Sequence, residues 1–117
     1  LGQVLSNLGG TFEAVGDYTS AMSAFQQSLK IAQQTGDRVG EIISLGNLGA
    51  IHADQGQDQA AIALFQQSLD LAKAANHLPG QTSALLNLGS THHSLRQLET
   101  AISFYDQSLK LAQTIGD

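Results

Sequence analysis

Asn7-Leu8-Gly9, Asn47-Leu48-Gly49 and Asn87-Leu88-Gly89 are one tripeptide written three times at an offset of 40 residues. A fixed period of this length marks an array of repeats, each burying a face on its neighbour, and it decides the fold class before local propensity is weighed. The same offset picks out Leu5, Leu45 and Leu85, then Ala21, Ala61 and Ala101. Further on it aligns Gln27-Ser28-Leu29 with Gln67-Ser68-Leu69 and Gln107-Ser108-Leu109, and Ala32 with Ala72 and Ala112. Phe25, Phe65 and Tyr105 keep one aromatic per unit.

Each unit holds two segments of helical period. From Leu1 to about Val15, the residues Leu5, Leu8 and Phe12 fall at spacings of three and four, one buried stripe of a helix A. Leu45, Leu48 and His52 repeat the stripe, as do Leu85, Leu88 and His92. The second segment, helix B, runs from about Thr19 to Gln34 with Ala21, Phe25, Leu29 and Ala32 at the same spacings. Between them, Gly16-Asp17, Gly56-Gln57-Asp58 and Arg96-Gln97 predict tight antiparallel turns, Gly closing one helix in a left-handed geometry and Asp capping the next. Between units, Gly36-Asp37 and Gly116-Asp117 repeat that stop and cap, Asn76-His77 replaces it, and Pro79 suits a first helical turn. Gly9, Gly49 and Gly89 lie inside helix A, where Gly costs about 1 kcal/mol relative to Ala. Close approach of helix B at Ala21, Ala61 and Ala101 is the expected compensation, with Leu8, Leu48 and Leu88 in the core.

The chain has 117 residues, 42% of them hydrophobic, enough for one domain with a continuous core. Nothing reads as a flexible linker, so residues 1–117 are taken as a single domain of three helix pairs, 1–36, 37–76 and 77–117. Five Lys+Arg against ten Asp+Glu give a formal net charge of -5, a field that repels phosphates and anionic headgroups. Neither nucleic acid nor a membrane is an expected partner. No apolar run approaches the roughly 18 residues of a membrane span, and no signal peptide is visible. The absence of Cys excludes disulfides and thiolate metal sites and fits a reducing compartment, so a cytoplasmic location is expected. Opening at Leu1 inside a first helix A, the chain is expected to be a section of a longer array.

These residues resemble the tetratricopeptide repeat, in which a large residue, two spacers, Leu-Gly, two spacers and an aromatic are followed by Ala, three spacers and an aromatic. Leu5, Leu8-Gly9, Phe12, Ala21 and Phe25 fill those places in unit one, and the two later units follow in phase. The usual period is about 34 with a closing Pro; here Gln33, Lys73 and Gln113 stand where that Pro would fall, so helix B runs on. The longer period is similar to the arrays of kinesin light chains, spindle-orienting G-protein regulators and bacterial signalling proteins. His52 and His92 replace the helix A aromatic, and no polar capping helix closes the chain. The resemblance implies an all-α fold of antiparallel helix pairs stacked as a right-handed α-solenoid, the tetratricopeptide superhelix, with helix A lining a concave wall.

Function is therefore sought on helix A, on the face opposite the stripe. That face carries Gln3, Ser6, Gly10, Glu13 and Ala14, then Ile43, Gly46, Ala50, Ala53 and Asp54, then Ser83, Leu86, Ser90, His93 and Ser94. It has no Lys or Arg, so the clamp with which chaperone-binding relatives hold a terminal carboxylate is not expected. A protein or peptide partner is, with Glu13 and Asp54 tilting preference toward neutral or basic segments. Asn7, Asn47 and Asn87 lie at the edge of the wall and have two readings: each amide pairs with a peptide backbone, or each bonds a neighbouring helix and locks the stack. His92-His93 cannot share one ion, because adjacent helical residues point about 100° apart; His52 and His92 are expected between helices and His93 in the groove. No metal, cofactor or catalytic residue is expected, since His52 and Asp54 have no nucleophile at a compatible position. The two function classes are a groove-binding interaction scaffold and a spacer or self-assembling element stacking end to end through exposed terminal helices.

Overall fold

A computed structural model describes residues 1–116 and contains six helices: α1 (Gly2–Ala14), α2 (Tyr18–Thr35), α3 (Arg38–Asp54), α4 (Asp58–Ala74), α5 (Leu78–Ser94) and α6 (Leu98–Gly116). The odd-numbered helices are the A helices and the even-numbered ones the B helices. Each packs on its chain neighbour, giving three antiparallel pairs in an all-α repeat solenoid.

Short connections are possible because one motif ends each helix and starts the next. After α1, the N–H of Gly16 bonds the Glu13 carbonyl and the N–H of Asp17 bonds that of Phe12, at 3.0 and 2.8 Å, the two bonds of a Schellman closure. The second of these recurs at all five junctions, with Asp37, Gln57, His77 and Gln97 donating to Ala32, His52, Ala72 and His92. Gly16 and Gly56 take the left-handed φ this closure requires (83° and 75°), and Arg96 takes it at 63° with a side chain attached. Asp17 and Asp37 cap α2 and α3 by accepting from Ser20 N–H and Gly40 N–H. The expected cap at Asp58 is not made: Asp58 is already helical and the cap position is Gln57, without a side-chain cap bond. At α5 the cap is His77, whose Nδ1 accepts from Gly80 N–H at 3.0 Å, with Pro79 in the first turn. Gly116 is the last residue of α6, and Asp117 lies outside the described residues.

The interior glycines make a close approach, with a different partner from the one the small-residue pattern suggests. A Cβ on Gly9, Gly49 or Gly89 would lie 2.7, 2.6 and 2.7 Å from a ring carbon of Phe25, Phe65 and Tyr105 respectively. The aromatic one turn beyond Ala21, Ala61 and Ala101 therefore meets the glycine, while those alanines are buried beside it. Burying a whole aromatic side chain, as at Phe25 and Phe65, is worth about 2–3 kcal/mol, which outweighs the roughly 1 kcal/mol helix cost of the glycine it needs; Tyr105 stays 37% exposed and gains less. Leu48 and Leu88 are core as expected, each against the B helix of the preceding unit, but Leu8 is 45% exposed.

A second link lies in the Gln-Ser-Leu signature, whose Ser is expected from sequence to face solvent or the neighbouring repeat. Ser28, Ser68 and Ser108 are buried and donate to the carbonyls of Gly2, Ile42 and Thr82, each 26 residues back on the paired A helix, at 3.2, 2.9 and 3.2 Å. Ser44, fully buried on α3, donates to Ser28 at 3.2 Å and ties the second unit to the first.

Two substitutions on α3 should move stability in opposite directions. Gly49→Ala must displace a buried Phe65 ring and is expected to lower the unfolding midpoint by an amount equivalent to about 1–2 kcal/mol. Gly46→Ala, with nothing within 4 Å of the new Cβ, should raise it by up to about 1 kcal/mol. Thermal unfolding of both variants checks the pair. Ser68→Ala removes one buried hydrogen bond while the Ile42 carbonyl remains within the helix, so a loss near 1 kcal/mol is expected in urea titration.

Candidate binding groove

The A helices approach one another, α1 with α3 and α3 with α5, whereas α2, α4 and α6 make no such approach among the described residues. Helix A therefore lies on the inside of the curve, and its outward face forms the concave wall.

The wall is dented into successive depressions. The main one is open, about 410 Å³, between α3 and α5; Ile43, Gly46, Asn47, Ala50, Ser83 and Asn87 line it, with Ser68 and Gly80 at its base and His77 and Pro79 at its rim. Next to it lies a smaller one of about 150 Å³ that includes Ala50, Asp54, Asn87 and Ser90. On the other side, Gln3, Ser6 and Ile43 help line a third between α1 and α3. Most of the residues singled out from the sequence are thus brought together. Gly46 leaves the floor open, since nothing lies within 4 Å of where its Cβ would be, and Gly10 is equally open. Ile43 offers an apolar side chain, 48% exposed, in the middle of the wall.

Three placements differ from expectation. Ser6 turns inward, its hydroxyl 3.0 Å from that of Ser28, and belongs to the helix-pairing contacts. His93 is exposed but lines none of these depressions. His77, Pro79 and Gly80 border the groove without having been candidates; the only trace in the sequence is that Asn76-His77 departs from Gly-Asp at a junction. No Lys or Arg lines any of the three depressions.

The asparagine ladder is not uniform. Asn7 is exposed, and its amide oxygen accepts from Gln3 Nε2 at 3.1 Å within α1. Asn47 and Asn87 are half-buried in the groove, and among the described residues neither side chain bonds a neighbouring helix. His52 and His92 pack at the ends of their helices, each Nδ1–H donating to the amide oxygen of Gln57 or Gln97 at 2.5 and 2.6 Å. The His92 ring also stacks on Phe104, with centroids 5.3 Å apart. No group of three or more His, Cys, Asp or Glu able to hold a metal ion occurs among the described residues.

A tetratricopeptide repeat model matches residues 1–74, and another matches residues 82–115. The chain belongs to the tetratricopeptide repeat family. Among solved structures, the tetratricopeptide domain of Arabidopsis FLU is similar with a TM-score of 0.87 and 26% identity, covering 97% of this chain and 95% of that one. Aspartyl phosphate phosphatase F from Bacillus subtilis superposes on all of it with a TM-score of 0.92 at 24% identity, and this chain spans 30% of that protein's length. Kinesin-light-chain-like repeats from Podosopora anserina reach 0.78 at 17% identity, over 93% of this chain and 53% of that one. The last two likenesses are of fold alone. No curated protein matches the chain. As a tetratricopeptide array it has the architecture of a protein-interaction scaffold, and among the described residues no helix is long and apolar enough to cross a membrane.

Glu13 and Asp54 sit on successive A helices. Partial burial raises the Glu13 carboxyl from its ordinary 4.5 to about 7, helped by a hydrogen bond with Asp54 and by that group's negative charge. The folded chain therefore keeps a proton that the unfolded chain releases near pH 4.5. The stability this gives is complete below pH 4.5 and is lost as pH rises through about 7. Glu13→Gln should remove this part of the pH dependence; urea midpoints measured across that window check it, and equal slopes for the two proteins would contradict the assignment.

Proposed function

We infer that this tetratricopeptide domain acts as a non-catalytic scaffold, binding a peptide-like segment of a partner protein in the groove between α3 and α5. The observation that carries the reading is the pair Asn47 and Asn87, one repeat apart on the groove wall, their amides without a bond to any neighbouring helix among the described residues. Each amide offers a donor and an acceptor, the two groups a peptide bond requires in return. Ile43 supplies an apolar contact beside them, while Gly46, Ala50, Ser83 and Ser90 leave room for a ligand backbone.

Electrostatics favours a neutral or basic segment. The groove has no cation to hold a terminal carboxylate, Asp54 lies at one end, and the chain carries a formal net charge of -5. The same field disfavours nucleic acid. A cytoplasmic setting agrees with the absence of Cys.

A peptide-array screen followed by titration of the best binder tests the site. Ala50→Arg together with Ser90→Arg should abolish binding by filling the groove and reversing its charge preference. Asn47→Ala should weaken binding roughly tenfold, the value of one or two hydrogen bonds, while leaving the melting temperature unchanged. Binding that survives the double Arg substitution would place the site on another surface, and a lowered melting temperature for Asn47→Ala without a binding defect would assign the ladder to stacking.

A further inference from the structure

The groove between α3 and α5 has two unlike ends. Its depressions share Ala50 and Asn87, so they form one channel along the helices, from His77 and Pro79 at the start of α5 to Asp54 at the close of α3. From His77 to Ser90 the channel follows about 20 Å of helix, the length of about six extended residues.

The fold fixes the tautomer of His77. Its Nδ1 accepts from the Gly80 N–H at 3.0 Å, so that nitrogen carries no proton and the neutral ring holds its hydrogen on Nε2. Nε2 has no hydrogen-bond partner among the described residues, and no buried side-chain nitrogen or oxygen there lacks one, so this atom is open to solvent at the groove rim. At the preceding junction the same cap is made by Asp37, whose carboxylate borders the depression between α1 and α3. The exchange of Asp for His keeps the backbone closure and turns a negative, acceptor-only rim into one that presents a donor. Capping alone does not call for it, since Asp17 and Asp37 make the bond as well. Glu41 in the first turn of α3 is likewise replaced by Gln81 on α5, so no acidic side chain offsets the positive end of that helix from its own first turn.

We propose that His77 selects the ligand: its Nε2–H donates to an Asp or Glu side chain of the bound segment, while Asp54 meets a Lys or Arg about six residues away. This rests on the peptide-binding reading of the groove and deepens it to a segment that is neutral overall but oppositely charged at its two ends. Asn47 and Asn87, between those ends, each offer a donor and an acceptor and so accept a backbone running in either direction. The ends supply the polarity that the amides lack and hold the segment one way round.

Synthetic peptides built on the best array binder test this: one with Glu and Lys six residues apart, one with Gln for that Glu, and one with the Lys moved to two residues from the Glu. Titration followed by fluorescence anisotropy should give the first peptide roughly tenfold higher affinity than the second, the worth of one charge-assisted hydrogen bond. The third should bind several-fold more weakly than the first. His77→Asp keeps the cap, so the melting temperature should hold, but it removes the donor and should abolish or reverse the preference for Glu over Gln. His77→Ser, a neutral cap too short to reach the ligand, should bring those two peptides to equal affinity. A Glu preference that persists in both variants assigns His77 to capping alone and overturns the proposal, as does equal binding of the Glu and Gln peptides by the unaltered domain. Affinity indifferent to the separation of Glu and Lys overturns it too. Ala50→Arg with Ser90→Arg separates the two readings. If that variant loses binding while His77→Asp keeps the Glu preference, only the role of His77 falls; if no peptide binds, or binding survives the double Arg substitution, both fall.

Discussion

The rest of the molecule depends on an aromatic ring packed against a bare stretch of helix. Phe25, Phe65 and Tyr105 occupy the space where Gly9, Gly49 and Gly89 would otherwise carry a side chain. That contact sets how closely helix A and helix B approach, and the approach in turn brings Ser28, Ser68 and Ser108, one turn further along, within 3.2 Å of carbonyls on the paired helix. A serine at that depth would be a cost without its acceptor, because a buried hydroxyl must be hydrogen-bonded. Ring, glycine and serine are thus one device: the first two create the proximity that makes the third tolerable. Because the device occupies one side of helix A, the opposite side is left free to face a groove.

The turns show how the repeat absorbs variation without changing geometry. Unit one has Phe12 in the last turn of its A helix and caps the next helix with Asp17. Units two and three have His52 and His92 in the aromatic's place and Gln57 and Gln97 at the cap, and the glutamine gives up the cap bond to accept from the histidine instead. The two positions change together because their side chains meet across the turn. At the junction before α5 the same backbone closure is kept with Asn76 for glycine and His77 for aspartate, an imidazole nitrogen doing the work of a carboxylate.

What was legible in the sequence follows from how local each feature is. Helix periodicity, turn closure and the repeat register are written in neighbouring residues, and six helices appear where spacings of three and four predict them. The glycine's need for a close neighbour was legible too, but not the neighbour's identity: Ala21 and Phe25 lie on one face of the same helix, and only the relative sliding of two helices decides which meets Gly9. Ser28 was opaque for a related reason, since its acceptor is a backbone carbonyl 26 residues away and a carbonyl has no signature in sequence. Leu8 differs from Leu48 and Leu88 because the period reads every unit alike, whereas the cover of Leu48 and Leu88 comes from the B helix of the preceding unit, α2 and α4. In the groove, Ile43, Asn47, Ala50, Asn87 and Ser90 could be placed by helical angle alone, while His77 and Gly80 enter from a turn whose path is set by tertiary packing.

Comparing the three units with one another separates structure from specialisation. Positions that hold constant through the period, such as Leu5, Gly9, Ala21 and Ser28 with their counterparts, lie at contacts between helices, and packing explains why they do not vary. Positions on the concave wall vary from unit to unit: Gln3, Ile43 and Ser83; Gly10, Ala50 and Ser90; Glu13, Ala53 and His93. A surface free of the packing constraint can differ between repeats, and an asymmetric groove is what an irregular ligand requires. Asn7, Asn47 and Asn87 break this division, being invariant across the units although Asn47 and Asn87 border the groove and, among the described residues, bond no neighbouring helix. Packing explains the buried repeated residues but neither the asparagines nor the exposed Gln27, Gln67 and Gln107 of helix B; under the proposed function, a ligand backbone repeating its donors and acceptors along the groove would give the asparagines a reason to repeat.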